Sequence, residues 1–550
     1  MRKTWLVILG ILLALVLVAG CAAPEADPPV DIEEPAEEEE PTEDPPEDPA
    51  EDDRILVVGW PNEPDTIDLH TSGAARDFRL LHGIHETWTW ATTDGRILPG
   101  LARDWDVSDD GLTYTFYMRE GVKFHDGTPV NAEAAKFTWD RLVDPDTGAL
   151  SALGFLGNYE SSEVVDEYTV KVHMSAPFAP FLRNLSSPGL APISPTAVAE
   201  QGDDQFTRTP VGAGPFMVEE WVEGSHLLLV RNPDYDWASE FHDHSGPARL
   251  AGIQFNWVPE DQVRYSALLT GELDVVEDVP LFHLEDLEEN PDFVVLKEPT
   301  PGISVHCWLN TKKSPTDDLR VRQALNYAYN FDGLNRSVFN NELLPPGGPL
   351  TRTMWGFTEE FSDTYEEDPA RAEELLDEAG WVMGDDGYRY KDGERLELDY
   401  SVQSPSYVED VAEYIQGNFA DFGIHVNLNV KSSSAWQSTN FEGTHNLTTG
   451  GVWRTDPDLL RLAFSAEHGI FTWSFWENSE FDDLIMASQA AVDEDERLEI
   501  VAELQSMITR HAVTLPLFDQ VTRFAHAANV EGLVFEENMA VVYYGARFTD

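Results

Sequence analysis

The sequence predicts a mixed α/β protein built in several lobes. Three observations carry that reading. The chain has 550 residues, more than one hydrophobic core usually organises. Residues 112–118 alternate apolar and polar side chains with the period of two that a half-buried strand requires. Residues 368–380 instead repeat apolar side chains three and four apart, as one face of a helix does. Hydrophobic residues at 42% and aromatics at 11% supply enough apolar surface for real cores, which excludes global disorder.

The first element is a leader. Arg2 and Lys3 precede residues 5–19, which are apolar apart from Gly10. That stretch is short for a bilayer span, which needs ~20 residues, and fits the apolar region of a secretory signal. It ends in Leu17-Val18-Ala19-Gly20-Cys21, which resembles the lipobox of bacterial lipoproteins, where the Cys is lipidated and becomes the new N-terminus. An ordinary signal peptide with a coincidental Cys is the plain alternative. Lipid chains on Cys21 would hold an otherwise soluble body at the membrane. Residues 22–53 then carry 16 acidic side chains and eight prolines with no basic residue. Such a run buries no apolar surface and repels itself, so it is expected to be a disordered, extended tether.

Charge excludes some partners. The chain has 101 Asp+Glu against 35 Lys+Arg, a formal net charge of −66. Without leader and tether, residues 54–550 hold 85 acidic and 33 basic side chains, so the body itself is acidic at −52. A nucleic acid meets no basic footprint here, and an anionic bilayer meets no polybasic patch. With 9 Lys against 26 Arg, the acidic surface is expected to serve hydration in a saline habitat. Only Cys21 and Cys307 are present. An internal disulfide is therefore not expected, and Cys307, in Val305-His306-Cys307-Trp308-Leu309, reads as a buried small hydrophobe.

The body alternates strands and helices. Leu112, Tyr114, Phe116 and Met118 form one face of a strand, and Tyr168, Val170, Val172 and Met174 form another. Val321, Ala324, Leu325 and Ala328 form a helical stripe after Asp317 and Asp318. Asp368 is placed to cap a helix with Pro369 in its first turn, Ala372, Leu375, Leu376 and Ala379 inward, and Gly380 at its end.

Several runs then carry a family resemblance. They are Pro99-Gly100-Leu101-Ala102-Arg103-Asp104-Trp105, Asp110-Gly111-Leu112-Thr113-Tyr114-Thr115-Phe116 and Arg119-Glu120-Gly121-Val122-Lys123-Phe124-His125-Asp126-Gly127. In order after them come Thr209-Pro210-Val211-Gly212-Ala213-Gly214-Pro215-Phe216, Gly271-Glu272-Leu273-Asp274-Val275, Leu309-Asn310-Thr311 with Asp318-Leu319-Arg320-Val321-Arg322-Gln323-Ala324, and Asn478-Ser479-Glu480-Phe481-Asp482. Together they resemble the family 5 extracellular solute-binding proteins, the oligopeptide- and dipeptide-binding receptors of ABC importers. Each run also has a plain physical reading. Gly127 suits a tight turn, and Gly212 and Gly214 let backbones pass closely. Met217 stands where a dinucleotide fingerprint needs its third glycine, so that fingerprint is rejected. Arg320 and Arg322 flank a helix start and are expected to form structural ion pairs.

Motifs for enzyme chemistry are missing: no GxxxxGK[ST], GxSxG, HExxH or CxxC occurs. Three histidine groups offer spacings a metal could use. His82-Gly83-Ile84-His85-Glu86 reads as a packing helix, His242-Asp243-His244 as a surface loop, and His125 as part of the strand-end turn; spacing alone completes no coordination shell. No catalytic residue, metal or cofactor is expected.

The resemblance implies a periplasmic-binding-protein-like type II fold, two lobes joined by a hinge, with an additional small domain. Residues 54–84, 211–300 and 513–550 would form lobe I, 85–210 the additional domain and 301–512 lobe II. The working form is expected to be a monomer, anchored through Cys21 at the outer face of the cytoplasmic membrane and serving the permease subunits of an ABC importer. The ligand wall is expected to draw on Trp308, Trp436, Trp453 and Tyr407, because aromatic faces give tolerant, desolvated contact. Trp453 and Arg454 lie in Gly450-Gly451-Val452-Trp453-Arg454-Thr455-Asp456-Pro457-Asp458, which matches the family's ligand-facing loop. There the peptide receptors carry an Asp, four residues before the matching Pro, that pairs with the peptide ammonium; Trp453 holds that place here. Asp456 remains as a further ligand-contact candidate, although its Asp-Pro turn also suits it to capping its own backbone. An oligosaccharide on tryptophans, or a solute whose anionic group meets Arg454, therefore rivals a peptide. Two readings of other classes are a lipid-anchored metal-dependent hydrolase on this scaffold and a structural surface protein.

Overall fold

A computed structural model describes residues 52–549 apart from 73–74, 93–94, 405–406 and 537–538. These residues belong to one unit, Ala50–Asp550. The leader, Cys21 and nearly all of the expected tether lie outside them. The strand Asp52–Trp60 begins two residues inside the expected tether span. Asp52 is drawn into it by pairing with Leu250 and by taking the Arg54 guanidinium at 2.7 Å.

Three sheets organise the body. The first has seven strands in the order Phe293–Pro299, Val521–Ala527, Val275–Glu277, Asp52–Trp60, Leu250–Trp257, His226–Arg231 and Phe216–Val222. Asp52–Trp60 runs parallel to both of its neighbours. The second has five strands in the order His425–Ser432, Glu397–Ser404, Leu447–Val452, Ile303–Leu309 and Thr514–Phe518. The third is a four-stranded antiparallel sheet of Ala102–Val107, Thr113–Met118, Thr169–Met174 and Tyr159–Asp166. Expected to return to lobe I from about 513, the chain first adds Thr514–Phe518 to the second sheet by pairing with Ile303–Leu309, and rejoins the first sheet only at Val521.

Local chemistry explains the elements. In Thr113–Met118 the side chains of Tyr114, Phe116 and Met118 are buried while the intervening ones are half-exposed, the face pattern that period two demands. Every residue of Ile303–Leu309 is buried, including the polar Ser304 and His306, which hydrogen-bond to Asp519 and to the Gly348 carbonyl. Helix Pro369–Glu378 starts where the Asp368 carboxylate accepts the Arg371 N–H at 3.0 Å, with Pro369 in the first turn. Helix Leu319–Ala328 is capped in the same way by Asp318. Arg320 forks onto Asp318, but Arg322 donates to the carbonyls of Thr316, Asp317, His511 and Ala512, tying the helix to a distant turn, and forms no ion pair among the described residues.

The first and third sheets share one continuous core, in which Val58 and Phe255 join Phe116, Val170 and Trp139. The second sheet has separate cores, one around Leu398, Leu325 and Ile415 and another around Trp308, Phe464 and Leu504. Gly212 and Gly214 lie where an added Cβ would stand 2.2 Å from the Ile84 carbonyl oxygen and 2.4 Å from that of Gly83, so only glycine admits this close backbone passage. Two crossovers, 300–302 and 519–520, link the first sheet to the second. They run side by side, with Thr300 N–H donating to the Gln520 carbonyl at 2.8 Å and the Thr300 and Thr522 hydroxyls 2.9 Å apart. Asp519, fully buried in the second of them, accepts from the Ser304 hydroxyl and from the Gly347 and Arg352 N–H groups.

Candidate functional site

The strand Leu447–Val452 leaves the second sheet and delivers the loop 453–458 to the place where the second-sheet region meets the four-stranded region. Its glycines are dictated by aromatic neighbours. A Cβ on Gly450 would stand 2.7 Å from the Trp473 ring, and one on Gly451 would stand 2.8 Å from the Trp453 ring, so the Trp453 indole folds back over its own strand. Trp453 remains 37% exposed.

Charge is concentrated at this junction. The Asp456 carboxylate is buried and gripped by both terminal nitrogens of Arg497, with Arg183 Nε at 4.0 Å. It also accepts the Asp458 N–H at 2.8 Å, the expected backbone cap. Burial pushes its pKa up, but Arg497, with Arg183 behind it, outweighs burial and holds the carboxyl below its ordinary range. Arg183 lies over the half-buried Trp355 ring at 4.7 Å, and Arg497 over the same ring at 5.3 Å. Asp458 takes Arg461 through Nε and Nη2, the latter at 2.6 Å, and Gln489 Nε2 at 2.8 Å. The two regions are also joined directly, since Ala179 N–H donates to the Gln489 carbonyl at 2.7 Å.

Arg454 differs from these neighbours. Its guanidinium carbon lies 3.6 Å over the centroid of Phe155, in helix Leu150–Leu156 of the four-stranded region. Among the described residues it makes no hydrogen bond and no ion pair. Burial pushes its pKa down to about 10, against the attraction of Asp458, and leaves it charged at neutral pH.

The other expected ligand residues separate. Trp308 is fully buried and donates Nε1–H to the Gly450 carbonyl at 2.9 Å. Trp436 is 6% exposed and donates to the Thr448 hydroxyl at 2.9 Å. Both stack edge-on to Trp473, at 5.5 and 5.1 Å, and form an aromatic lattice beneath the loop. Their polar atoms are committed and their rings face protein, so in this conformation they support the loop instead of lining it. Tyr407 is 40% exposed but packs on Phe339 and Phe518, away from the loop. Asp456 serves the Arg497 pair. Arg183, Arg497, Trp355 and Phe155 carry no local sequence signal that places them at this junction. Arg497 reads there as one more charge in the acidic run Glu494-Asp495-Glu496-Arg497, and only the fold turns it inward.

The histidines lie elsewhere. His82 pairs with Glu536 at 2.9 Å, both buried, in a 3-10 turn and not the expected helix. His242 and His244 lie on a loop either side of the exposed Asp243, as expected, and their half-buried rings pack against Tyr544, with centroids at 4.8 and 4.0 Å. The His125 ring sits 3.0 Å from the Gly214 carbonyl oxygen. Among the described residues, no group of three or more His, Cys, Asp or Glu side chains is arranged to hold a metal ion. Cys307 is buried, and burial pushes its thiol up to about 12. A cavity of about 280 Å³ opens in the second-sheet region between Tyr329, Pro345, Arg352, Tyr365 and Thr514, and none of the expected ligand residues lines it.

Comparison with known proteins gives a consistent set of likenesses. The model of a family described as bacterial extracellular solute-binding proteins, family 5 Middle, matches residues 96–466. The chain is 26% identical over 504 residues to the probable D,D-dipeptide-binding periplasmic protein DdpA of Escherichia coli, covering 89% of this chain and 93% of that protein. Among solved structures it resembles the periplasmic binding protein DppA of Helicobacter pylori in complex with the peptide STSA, with 25% identity, a TM-score of 0.74, and 90% and 98% of the two chains covered. It also shares the fold of NikA of Brucella suis in complex with Fe(III)-EDTA, with a TM-score of 0.81, 23% identity, and 90% and 100% covered. The fold is that of the type II periplasmic binding proteins.

Proposed function

Because the chain belongs to the bacterial extracellular solute-binding proteins of family 5, we propose that it is a receptor that captures a peptide or similar small solute between two lobes and delivers it to the permease of an ABC importer. Lobe I would be built on the seven-stranded sheet, with the four-stranded region packed on it as the additional domain, and lobe II on the five-stranded sheet. The observation that carries the mechanism is the pair of adjacent crossovers joined by Thr300, Gln520 and Thr522. Two short links side by side act as a hinge, and a solute bound at the junction would bias the open–closed equilibrium toward the closed form. Cys21, if lipidated, would keep this receptor at the outer face of the cytoplasmic membrane. The protein would work without cofactor and without chemistry on the solute.

Peptide is the first solute class, supported by the D,D-dipeptide and STSA named for the relatives. A non-peptide solute is the second, supported by the Fe(III)-EDTA in the NikA complex and by the commitment of Asp456 to Arg497. Thermal denaturation with peptides, oligosaccharides, nickel chelates and opines tests the receptor reading. A true ligand at 100 times its Kd stabilises by about 2.7 kcal/mol. Absence of stabilisation across all four classes would overturn the reading and favour the structural surface protein.

A further inference from the structure

We infer that Arg454 is the residue that selects the solute, and that it does so by receiving a carboxylate. The inference rests on the receptor reading above and adds the charge of the ligand to it.

Four arginines meet two aspartates at the junction. Three of them are engaged: Arg183 donates to the Gly95 carbonyl at 2.5 Å and faces Asp456, Arg461 forks onto Asp458, and Arg497 grips Asp456. Arg454 alone of the four has neither hydrogen bond nor ion pair among the described residues, although it is half-buried. This occurs in a chain with 101 Asp+Glu against 35 Lys+Arg, where an acidic partner would be easy to supply. A guanidinium removed from water without an anion is expensive, and a ligand that brings the anion removes that expense.

The geometry limits what the anion is. Phe155 covers one face of the guanidinium at 3.6 Å, which leaves the donors around its edge for a planar, bidentate acceptor. One free unit of positive charge matches one carboxylate. A phosphate dianion would need a second cation, and the other three arginines are committed to Asp456 and Asp458. The Trp453 indole, 37% exposed on the adjoining residue, suits an apolar body next to that carboxylate. A free ammonium finds no vacant carboxylate on this loop, because both aspartates are taken.

The test uses matched pairs, each acid with its own carboxamide: Ala-Leu, Ala-Phe and Ser-Thr-Ser-Ala with free and acetylated amino ends, N-(1-carboxyethyl)glutamine, and gluconate, with maltotriose as a neutral probe. Calorimetric titration of the full chain is expected to find an acid that binds, about 10- to 100-fold tighter than its carboxamide, with acetylation tolerated. Arg454→Gln should erase that discrimination while leaving the ligand-free melting temperature near that of the wild type. Arg454→Lys, which keeps the charge but not the fork, should retain a weaker preference for the acid, and it keeps the test valid if Arg454→Gln fails to fold. Equal affinity for acid and carboxamide, binding of maltotriose alone, or discrimination surviving in Arg454→Gln would each overturn the assignment of the carboxylate to Arg454. Failure of every probe to bind the wild type would overturn this inference, and the receptor reading falls with it only if nickel chelates also fail to stabilise the protein.

Discussion

Gly302, on the first crossover, lies against Trp453: with φ at +139°, a Cβ at Gly302 would stand 2.9 Å from the Trp453 Cα and 2.6 Å from the Val452 carbonyl oxygen. The first crossover and the loop are thus in backbone contact, and a side chain cannot be inserted without moving one of them. Gly302→Ala should destabilise the protein by about 1–3 kcal/mol from the torsion alone, with further loss from the clash. Gly121 also has positive φ, at +82°, but nothing lies within 4 Å of its added Cβ. Urea denaturation should therefore show a larger loss for Gly302→Ala than for Gly121→Ala; equal losses would mean that the contact is not tight.

Asp456→Asn removes the carboxylate that Arg497 holds with two nitrogens in a buried setting. Loss of one partner of such a pair costs about 3–5 kcal/mol. Because the folded pKa of Asp456 lies below its unfolded value, its contribution is complete above about pH 4 and is lost as pH falls through the depressed folded value. Denaturation midpoints across the acid range should show a flatter acid limb in Asp456→Asn than in the wild type.

Buried histidines shape the next pH window. Burial pushes His306 down to about 3 and His125 to about 4; His85 is pushed to about 3 by burial and by the nearby His70 and His125. Between about pH 6.5 and those values the unfolded chain binds more protons, so stability should fall as the solution is acidified from about pH 7 to about pH 5. His82 opposes the trend. Burial disfavours its charge, but Glu536 prevails and raises its pKa, so its contribution is present below about pH 6.5 and fades as pH rises through the raised value. His306→Gln should reduce the slope between about pH 7 and pH 5, and an unchanged slope would remove His306 from the account.

The body's charge of −52 over residues 54–550 predicts that added salt stabilises it. Self-repulsion is screened within about 3 Å at ~1 M salt, against about 10 Å at ~0.1 M. The thermal midpoint should rise between these conditions, and a flat or falling midpoint would show that the acidic surface is not strained by its own charge.

Much of the fold is legible in the sequence because burial leaves a period behind. The alternation in Thr113–Met118 and the Asp368 cap with its apolar stripe can be read without neighbours. Sheet membership is different: Thr514–Phe518 joins the second sheet through pairing with a strand some two hundred residues earlier, which no local pattern encodes. The loop was legible in part, since Trp453 and Arg454 could be found from the family resemblance. Burial of Trp308 and Trp436 was not, because an indole in an apolar run reads alike whether it faces core or cleft. The Asp456 backbone cap is legible in its Asp-Pro turn, whereas a ligand contact and the pairing with Arg497 are not told apart there, because Arg497 is 41 positions away and looks like surface charge until the helix is folded.

Trp355 stands between guanidiniums from the two sides of the junction, Arg183 at 4.7 Å and Arg497 at 5.3 Å. An indole reports the charges near its ring in its emission and, when fluorine-labelled, in its resonance frequency. Separation of the regions would take Arg183 away and leave Arg497 behind, an asymmetric loss that shifts the signal in one direction. If the lobes part as proposed, the resonance of a fluorine-labelled Trp355, once assigned among the chain's 16 tryptophans, reports that opening without a dye attached to either side.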